Sequence, residues 1–229
     1  MDLQAIRQSI HQFGIAKTFF DLSYKGINSL TYARILQGMT VTMATLDPAY
    51  LKGPQHYTYQ ILSPGQVQAF AKDPGNNLTE EFLTYAEKKG DECFAILDGD
   101  RLAAYGWYSW KPTRLSKELT LLFSDEWVYM YRGFTHPDYR GQRLHAIGMA
   151  KALEHYANKG YQGLISYVEL NNYRSLRSVY RMGYRNFGKV YILKIGHHFW
   201  IHADAGCSAY HFTAMPTEKL HEMVQYSLH

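Results

Sequence analysis

Seven consecutive residues, Tyr139-Arg140-Gly141-Gln142-Arg143-Leu144-His145, combine types that handle anions: two guanidiniums, a glycine and a run of backbone N–H groups where a helix begins. The helix is read from Leu144, Ile147, Gly148, Leu153 and Tyr156, which fall close to one face. Its first N–H groups have no partner within the helix, and its dipole favours negative charge there. A strand must deliver the chain to this turn. Trp127 to Phe134 is almost wholly apolar and aromatic, which suits a strand buried on both faces, and Pro137 stops it for want of an N–H. Strand, basic turn and helix N-terminus together make a phosphate site. Gln142, Arg143, Leu144 and His145 are expected to offer N–H groups to a pyrophosphate. The alternative is an ordinary helix start whose donors bind water. Arg140 is either a phosphate contact or a solvated surface arginine.

The other reactive side chains form weaker patterns. Cys93 and Cys207 have no metal or redox spacing, which points to a reducing compartment. His136, His145, His197, His198 and His202 lack metal-ligand spacing, so no metal site is expected. Arg174, Arg177, Arg181 and Arg185 recur along one helix face and just beyond its end. That stripe is either a solvated face or a contact for an anionic partner.

These residues need a framework. Hydrophobic residues make up 46% and charged residues 19% of the 229, which excludes a disordered chain and suits one domain. The net charge of +4 argues only weakly for an anionic ligand, and nucleic acid is not expected. The N-terminal MDLQAIRQSI lacks the apolar core of a signal peptide, and no stretch is long enough to span a membrane, so a cytoplasmic location is expected. Helices are read at 1–13, 22–37, 63–72 and 79–89, with Gly38 and Gly90 as stops. A strand is read at 39–46, and 47–60 is read as loop with a possible short strand. A hairpin follows, with Cys93–Leu97 and Leu102–Trp110 joined by Asp98-Gly99-Asp100. Residues 111–125 are read as a connection, partly helical if anything. Beyond the central strand and helix come a strand at 164–170, a helix from Asn172 to Met182 stopped by Gly183, strands at 188–196 and 198–214, the latter broken at Ala205-Gly206, and a last helix at 216–226. The order predicts an α/β (α+β) fold: a single mixed, largely antiparallel twisted sheet flanked by helices. Neither GxGxxG nor GxxxxGK[ST] occurs, so a Rossmann unit and a P-loop are excluded.

Over roughly residues 40–196 the chain resembles the GCN5-related N-acetyltransferase (GNAT) superfamily. Four features carry the likeness: the hairpin before a central strand, HPDYRGQRLHAIG, the strand ISYVEL running into Asn172-Tyr173-Arg174-Ser175, and Val179-Tyr180-Arg181-Met182-Gly183-Tyr184. The family turn reads Arg-Gly-x-Gly-x-Gly/Ala. Here Arg140 and Gly141 keep the first two positions, while Arg143 and His145 replace the later small residues. Backbone donors survive that change; room for close approach does not. Arg143 could compensate with charge-assisted hydrogen bonds.

The resemblance implies three regions: an N-terminal helical extension (1–39), a GNAT-like core (40–196) and a C-terminal strand and helix extension of the same domain (197–229). It implies acetyl-CoA or another acyl-CoA as co-substrate and an amine as acceptor. The backbone of Tyr131, Arg132, Gly133 and Phe134 would pair with the pantetheine arm, and a strand bulge there would free an N–H as oxyanion donor. Tyr180 matches the family tyrosine that protonates the leaving thiolate; a packed tyrosine is the plain alternative. Asn172, with Ser175 beside it, would cap its helix and also touch pantetheine. The residues do not identify the base; Glu169 is the first choice, with a surface glutamate as its plain alternative, ahead of Glu126, His136 and His145. The aromatic content, the altered turn and the arginine stripe leave open a longer acyl group, carried on CoA or an acyl carrier protein. The altered turn leaves open a silent CoA- or protein-binding module, and the end segments leave room for a homodimer.

Overall fold

A computed structural model describes residues 3–226. Two helices open the chain, α1 (Leu3–Phe13) and α2 (Ile15–Leu30), followed by β1 (Ala33–Val41). Then come β2 (Thr58–Leu62), the single turn α3 (Pro64–Val67), α4 (Glu80–Lys89), β3 (Glu92–Asp98) and β4 (Arg101–Ser109). Two short strands, β5 (Thr113–Arg114) and β6 (Leu119–Leu122), precede β7 (Trp127–Thr135), α5 (Leu144–Asn158), β8 (Gly163–Glu169) and α6 (Tyr173–Arg181). The chain ends with β9 (Arg185–Ile195), β10 (His198–Ala203), β11 (Thr213–Pro216) and α7 (Thr217–Tyr226). Eight strands form one mixed sheet in the order β10-β9-β1-β8-β7-β4-β3-β2, and β11-β6-β5 form a second, small sheet. Among the described residues, only the β7–β8 pair in the large sheet is parallel.

The two faces of the large sheet are covered differently, and this places the site. Val128 and Met130 of β7 pack with Met149 and Leu153 of α5 and Val179 of α6 on one face. Trp127 and Tyr129 pack on the other face against Leu119 and Leu121 of the small sheet, and Trp107 packs there with Leu83 and Ala86 of α4. Strand alternation sorts these residues. Local signals hold α4 in place. The Thr79 hydroxyl accepts the Phe82 N–H, Glu80 and Glu81 occupy the first turn, and Gly90 closes the helix in the left-handed conformation. At α3, Ser63 and Gln66 form the reciprocal cap that the sequence predicts.

Several boundaries differ from expectation. The helix expected at 22–37 lies at 15–30, and the strand expected at 39–46 lies at 33–41. Ile35 and Leu36 fit a helical period, but β1 is paired on both sides, and that pairing overrides the local pattern. Gly38, expected as a helix stop, sits mid-strand beneath the Phe187 ring, where a Cβ would stand 2.3 Å from the ring edge. The expected helix at 63–72 is one α-turn followed by 3₁₀ turns. Within the expected 47–60 loop, 48–51 is a 3₁₀ turn, and the possible short strand is β2, which begins at Thr58 and runs past the expected boundary. Residues 111–125 are not helical; they supply β5 and β6, which the C-terminal β11 completes into a sheet. The strand expected over 198–214 breaks at Ala205-Gly206 as predicted, but its second half joins the small sheet. Among the described residues no helix is long and apolar enough to cross a membrane.

Candidate active site

β7 and β8 are in register for only three residues, Trp127–Tyr129 against Gly163–Ile165. From Met130 on, β7 has no partner on β8, although both strands continue. The cause lies on the other side of β7. Opposite β4, Trp107 pairs with Arg132 and Tyr108 with Met130, so Tyr131 is an extra, bulged residue. A bulge bends its strand and increases local twist. Here it turns β7 away from β8. It also puts two successive side chains on one face: the Tyr131 hydroxyl reaches Asp91 and the Arg132 guanidinium lies over the Phe82 ring.

The parted strands open a cleft of about 880 Å³. Its walls include Tyr131 and Gly133 of β7, Glu169 at the end of β8, His145 of α5, and Asn172 and Ser175 at the start of α6. Six residues expected from the sequence are thus brought together. Arg132 and Phe134 are not among them. Arg132 faces Phe82, and Phe134 stacks on Tyr105, both on the side away from α5. α1 and α2 also line the cleft and are pinned to α6. Tyr173 donates to the Lys17 carbonyl at 3.2 Å, and Arg174 donates to Gln12 at 3.0 Å. Arg177 lies over the Phe13 ring, so two arginines of the stripe meet α1, while Arg181 is exposed.

The turn before α5 is built from strained backbone. Gly141 has φ of 85° and Arg143 has φ of 59°. Glycine visits this region freely; arginine does so at a cost of about 1 kcal/mol. Arg143 is also the N-cap of α5 and provides no capping bond. Gln142 is held by the Tyr57 hydroxyl, which donates to it at 2.7 Å. Arg140, Gly141, Gln142 and Arg143 are exposed, whereas Leu144 is buried. Arg143→Gly is expected to raise unfolding free energy by about 1 kcal/mol, read by denaturant titration.

His145 occupies a telling place. A Cβ built on Gly133 would stand 2.1 Å from His145 Cε1, so the imidazole fills the space that the glycine leaves open on β7. Burial pushes the His145 pKa down, which favours the neutral ring.

Tyr180 and Glu169 are both engaged. The Tyr180 hydroxyl accepts from Gln37 Nε2 at 2.7 Å. Gln37 lies on β1 opposite Val168, and both Val168 and Val179, the residue before Tyr180, line the cleft. Glu169 pairs through one oxygen with Arg34 and through the other with the Tyr24 hydroxyl at 3.4 Å. Asn172 caps α6, accepting from the Ser175 N–H at 3.2 Å. Glu126 precedes β7 at the end where the strands are paired, far from the opening. His136 is buried; it accepts the Asp138 N–H and faces the Asp73 carboxylate at 3.6 Å.

Sequence reasoning missed a buried cluster beneath the bulge. Tyr131 donates to Asp91 Oδ2 at 2.8 Å, and Lys89 Nζ lies 3.3 Å from the same oxygen. Lys89-Gly90-Asp91 reads only as a helix ending, and its sole hint was a charge on either side of the stop.

The Acetyltransferase (GNAT) family model matches residues 56–184, more than half of the chain. No curated protein matches. Among solved structures, a GNAT acetyltransferase from Colwellia psychrerythraea is 16% identical, with TM-score 0.49, covering 75% of this chain and 61% of that one. One from Kribbella flavida is 16% identical, with TM-score 0.48, covering 76% and 64%. An aminoglycoside acetyltransferase from an uncultured soil metagenomic sample, solved with trehalose, is 10% identical, with TM-score 0.42, covering 56% and 87%. The chain spans less than two thirds of the Colwellia and Kribbella proteins. The sequence match over 56–184 decides the assignment: the chain belongs to the GNAT acetyltransferase family.

Proposed function

We propose that the protein is an N-acyltransferase that moves an acetyl group from acetyl-CoA to a primary amine by direct attack in a ternary complex. The observation that carries this reading is the parting of β7 from β8 at the Tyr131 bulge, on the strand that leads into the α5 N-terminus. The pyrophosphate lies over the N–H groups of Gln142, Arg143, Leu144 and His145, with Arg140 beside it. The pantetheine arm follows the unpaired edge of β7 from Tyr131 to Phe134, and Asn172 and Ser175 border it. A backbone N–H at the bulge holds the oxyanion. Tyr180 gives the departing thiolate its proton. The transfer core expected at 40–196 takes in all of β1, which pairs inside the large sheet, and the helices before β1 and the segment 197–229 extend the same domain. Thiol release from acetyl-CoA, followed with a panel of primary amines, tests the reading. Amine-dependent, saturable release supports it.

One observation favours a second reading. The His145 imidazole rests on Gly133, where the pantetheine arm must pass. A module that binds a protein partner without catalysis would tolerate this; one that binds CoA would have to clear the same path. Under the transfer reading the ring swings aside, and His145→Ala then tightens acetyl-CoA binding by about tenfold, or 1.4 kcal/mol, in isothermal titration. An acyl carrier protein as donor would dock on the exposed Arg181, and its binding would weaken with salt.

A further inference from the structure

The bulge carries a chain of titratable groups that the proposed function does not use. Tyr131 belongs both to the wall of the cleft and to that of a second pocket of about 780 Å³ beside α4, on the opposite face of β7 from α5. The Tyr131 ring therefore borders both spaces. From its hydroxyl the chain runs inward. Asp91, with its side chain 1% exposed, accepts from Tyr131 at 2.8 Å. Lys89 Nζ lies 3.3 Å from the same oxygen and donates to Thr113 at 2.5 Å. The ammonium also lies over the rings of Tyr85 and Tyr131, at 5.3 and 5.1 Å. A buried lysine–aspartate pair is a poor source of stability, because desolvation offsets its attraction. Its place against the bulged residue calls for another role.

We infer that the Tyr131–Asp91–Lys89 chain carries away the proton that the attacking amine loses, with the acceptor amine entering from the pocket beside α4. This rests on the acyltransferase reading above. The amine nitrogen attacks the thioester carbonyl carbon and a C–N bond forms. The C–S bond then breaks, and its electron pair leaves with sulfur, which takes the Tyr180 proton to become the thiol, and water restores the proton on Tyr180. The extra proton on nitrogen passes to the Tyr131 oxygen as the Tyr131 O–H proton passes to Asp91. Lys89, entering as the neutral amine, takes that proton from Asp91 and yields it to water. The sum is amine plus thioester giving amide plus thiol. Tyr131 is the catalytic member; Asp91 and Lys89 act through it.

The charge state fits. Burial draws Lys89 down from 10.5 to about 8, against the attraction of Asp91 and with help from Lys111, whose ammonium binds the Lys89 carbonyl. The other groups facing it are Thr113 and the neutral rings of Tyr85 and Tyr131, with Arg114 over the far ring. The working form, carboxylate with neutral lysine, builds up as pH rises through about 8.

The test is the pH profile of kcat in wild type, Lys89→Arg, Asp91→Asn and Tyr131→Phe. Wild-type kcat should rise about tenfold per pH unit below about 8 and level above it. Lys89→Arg keeps a cation on Asp91 but cannot lose its proton. It should lose roughly 100-fold in kcat, and the rise near pH 8 with it, while acetyl-CoA affinity stays within about threefold. Asp91→Asn and Tyr131→Phe should lose kcat in the same way. A Lys89→Arg protein with the wild-type profile overturns the inference. Direct NMR titration of Lys89 in the wild-type chain stands apart from activity and from the folding of any variant. A midpoint near 8 supports the relay, and one near 10.5 overturns it even if no amine releases thiol, an outcome that would itself count against the acyltransferase reading.

Discussion

Gly141→Pro abolishes acetyl-CoA binding. Gly141 sits at φ of 85°, and proline is confined to about −65°. The exchange is not a matter of space, because a Cβ at 141 would meet nothing within 4 Å. Nor does the strain fall on the residue before it. Arg140 is extended, with φ of −65° and ψ of 155°, and already suits a following proline. The cost falls on the turn that presents the α5 N–H groups, and proline also removes a donor. Isothermal titration should show affinity lower by at least roughly 100-fold, or about 2.7 kcal/mol. Thermal melting should stay cooperative, since the turn is exposed and the α5 core residues are untouched. Gly141→Asn, which tolerates the left-handed region, should keep most of the affinity. A folded Gly141→Pro protein with wild-type affinity would remove the phosphate turn from the account.

Tyr180→Phe should lower kcat by roughly 10- to 1000-fold while leaving acetyl-CoA binding nearly unchanged. The hydrogen bond to Gln37 explains why the effect belongs to the chemical step. Gln37 Nε2 donates to the phenol oxygen, so the Tyr180 O–H proton remains free to be given away. Once it has gone, the same N–H steadies the phenolate. Phenylalanine keeps the ring and loses both functions, so the loss appears as the thiolate leaves and not in the ground state. Single-turnover kinetics separate this step from product release. Unchanged single-turnover rates would reduce Tyr180 to a packing residue.

The central unit was legible because three strong local signals coincide there. An apolar run, a proline stop and a basic turn ahead of an amphipathic helix gave β7 and α5 within a few residues. α4 and α6 were legible through their caps, Thr79 and Asn172. β1 was not, because Ile35 and Leu36 satisfy either period and only the pairing of β1 with β8 and β9 decides between them. β5 and β6 were hidden for a related reason: their partner β11 lies about ninety residues downstream. The bulge left one sign, Gly133, yet the extra residue is Tyr131, since register depends on two strands at once. Glu169 ends β8 and lines the cleft, but its ties to Arg34 and Tyr24 depend on tertiary contacts. The same limit hid Asp91, which reads as a turn carboxylate and proves to be 3% exposed.

The most direct test of the account is a crystal structure with acetyl-CoA bound. The pyrophosphate should lie on the N–H groups of Gln142 to His145, the thioester should rest at the Tyr131 bulge, and the His145 ring should have left Gly133. Acetyl-CoA bound elsewhere on the chain, with the His145 ring still seated on Gly133 between β7 and α5, would contradict it.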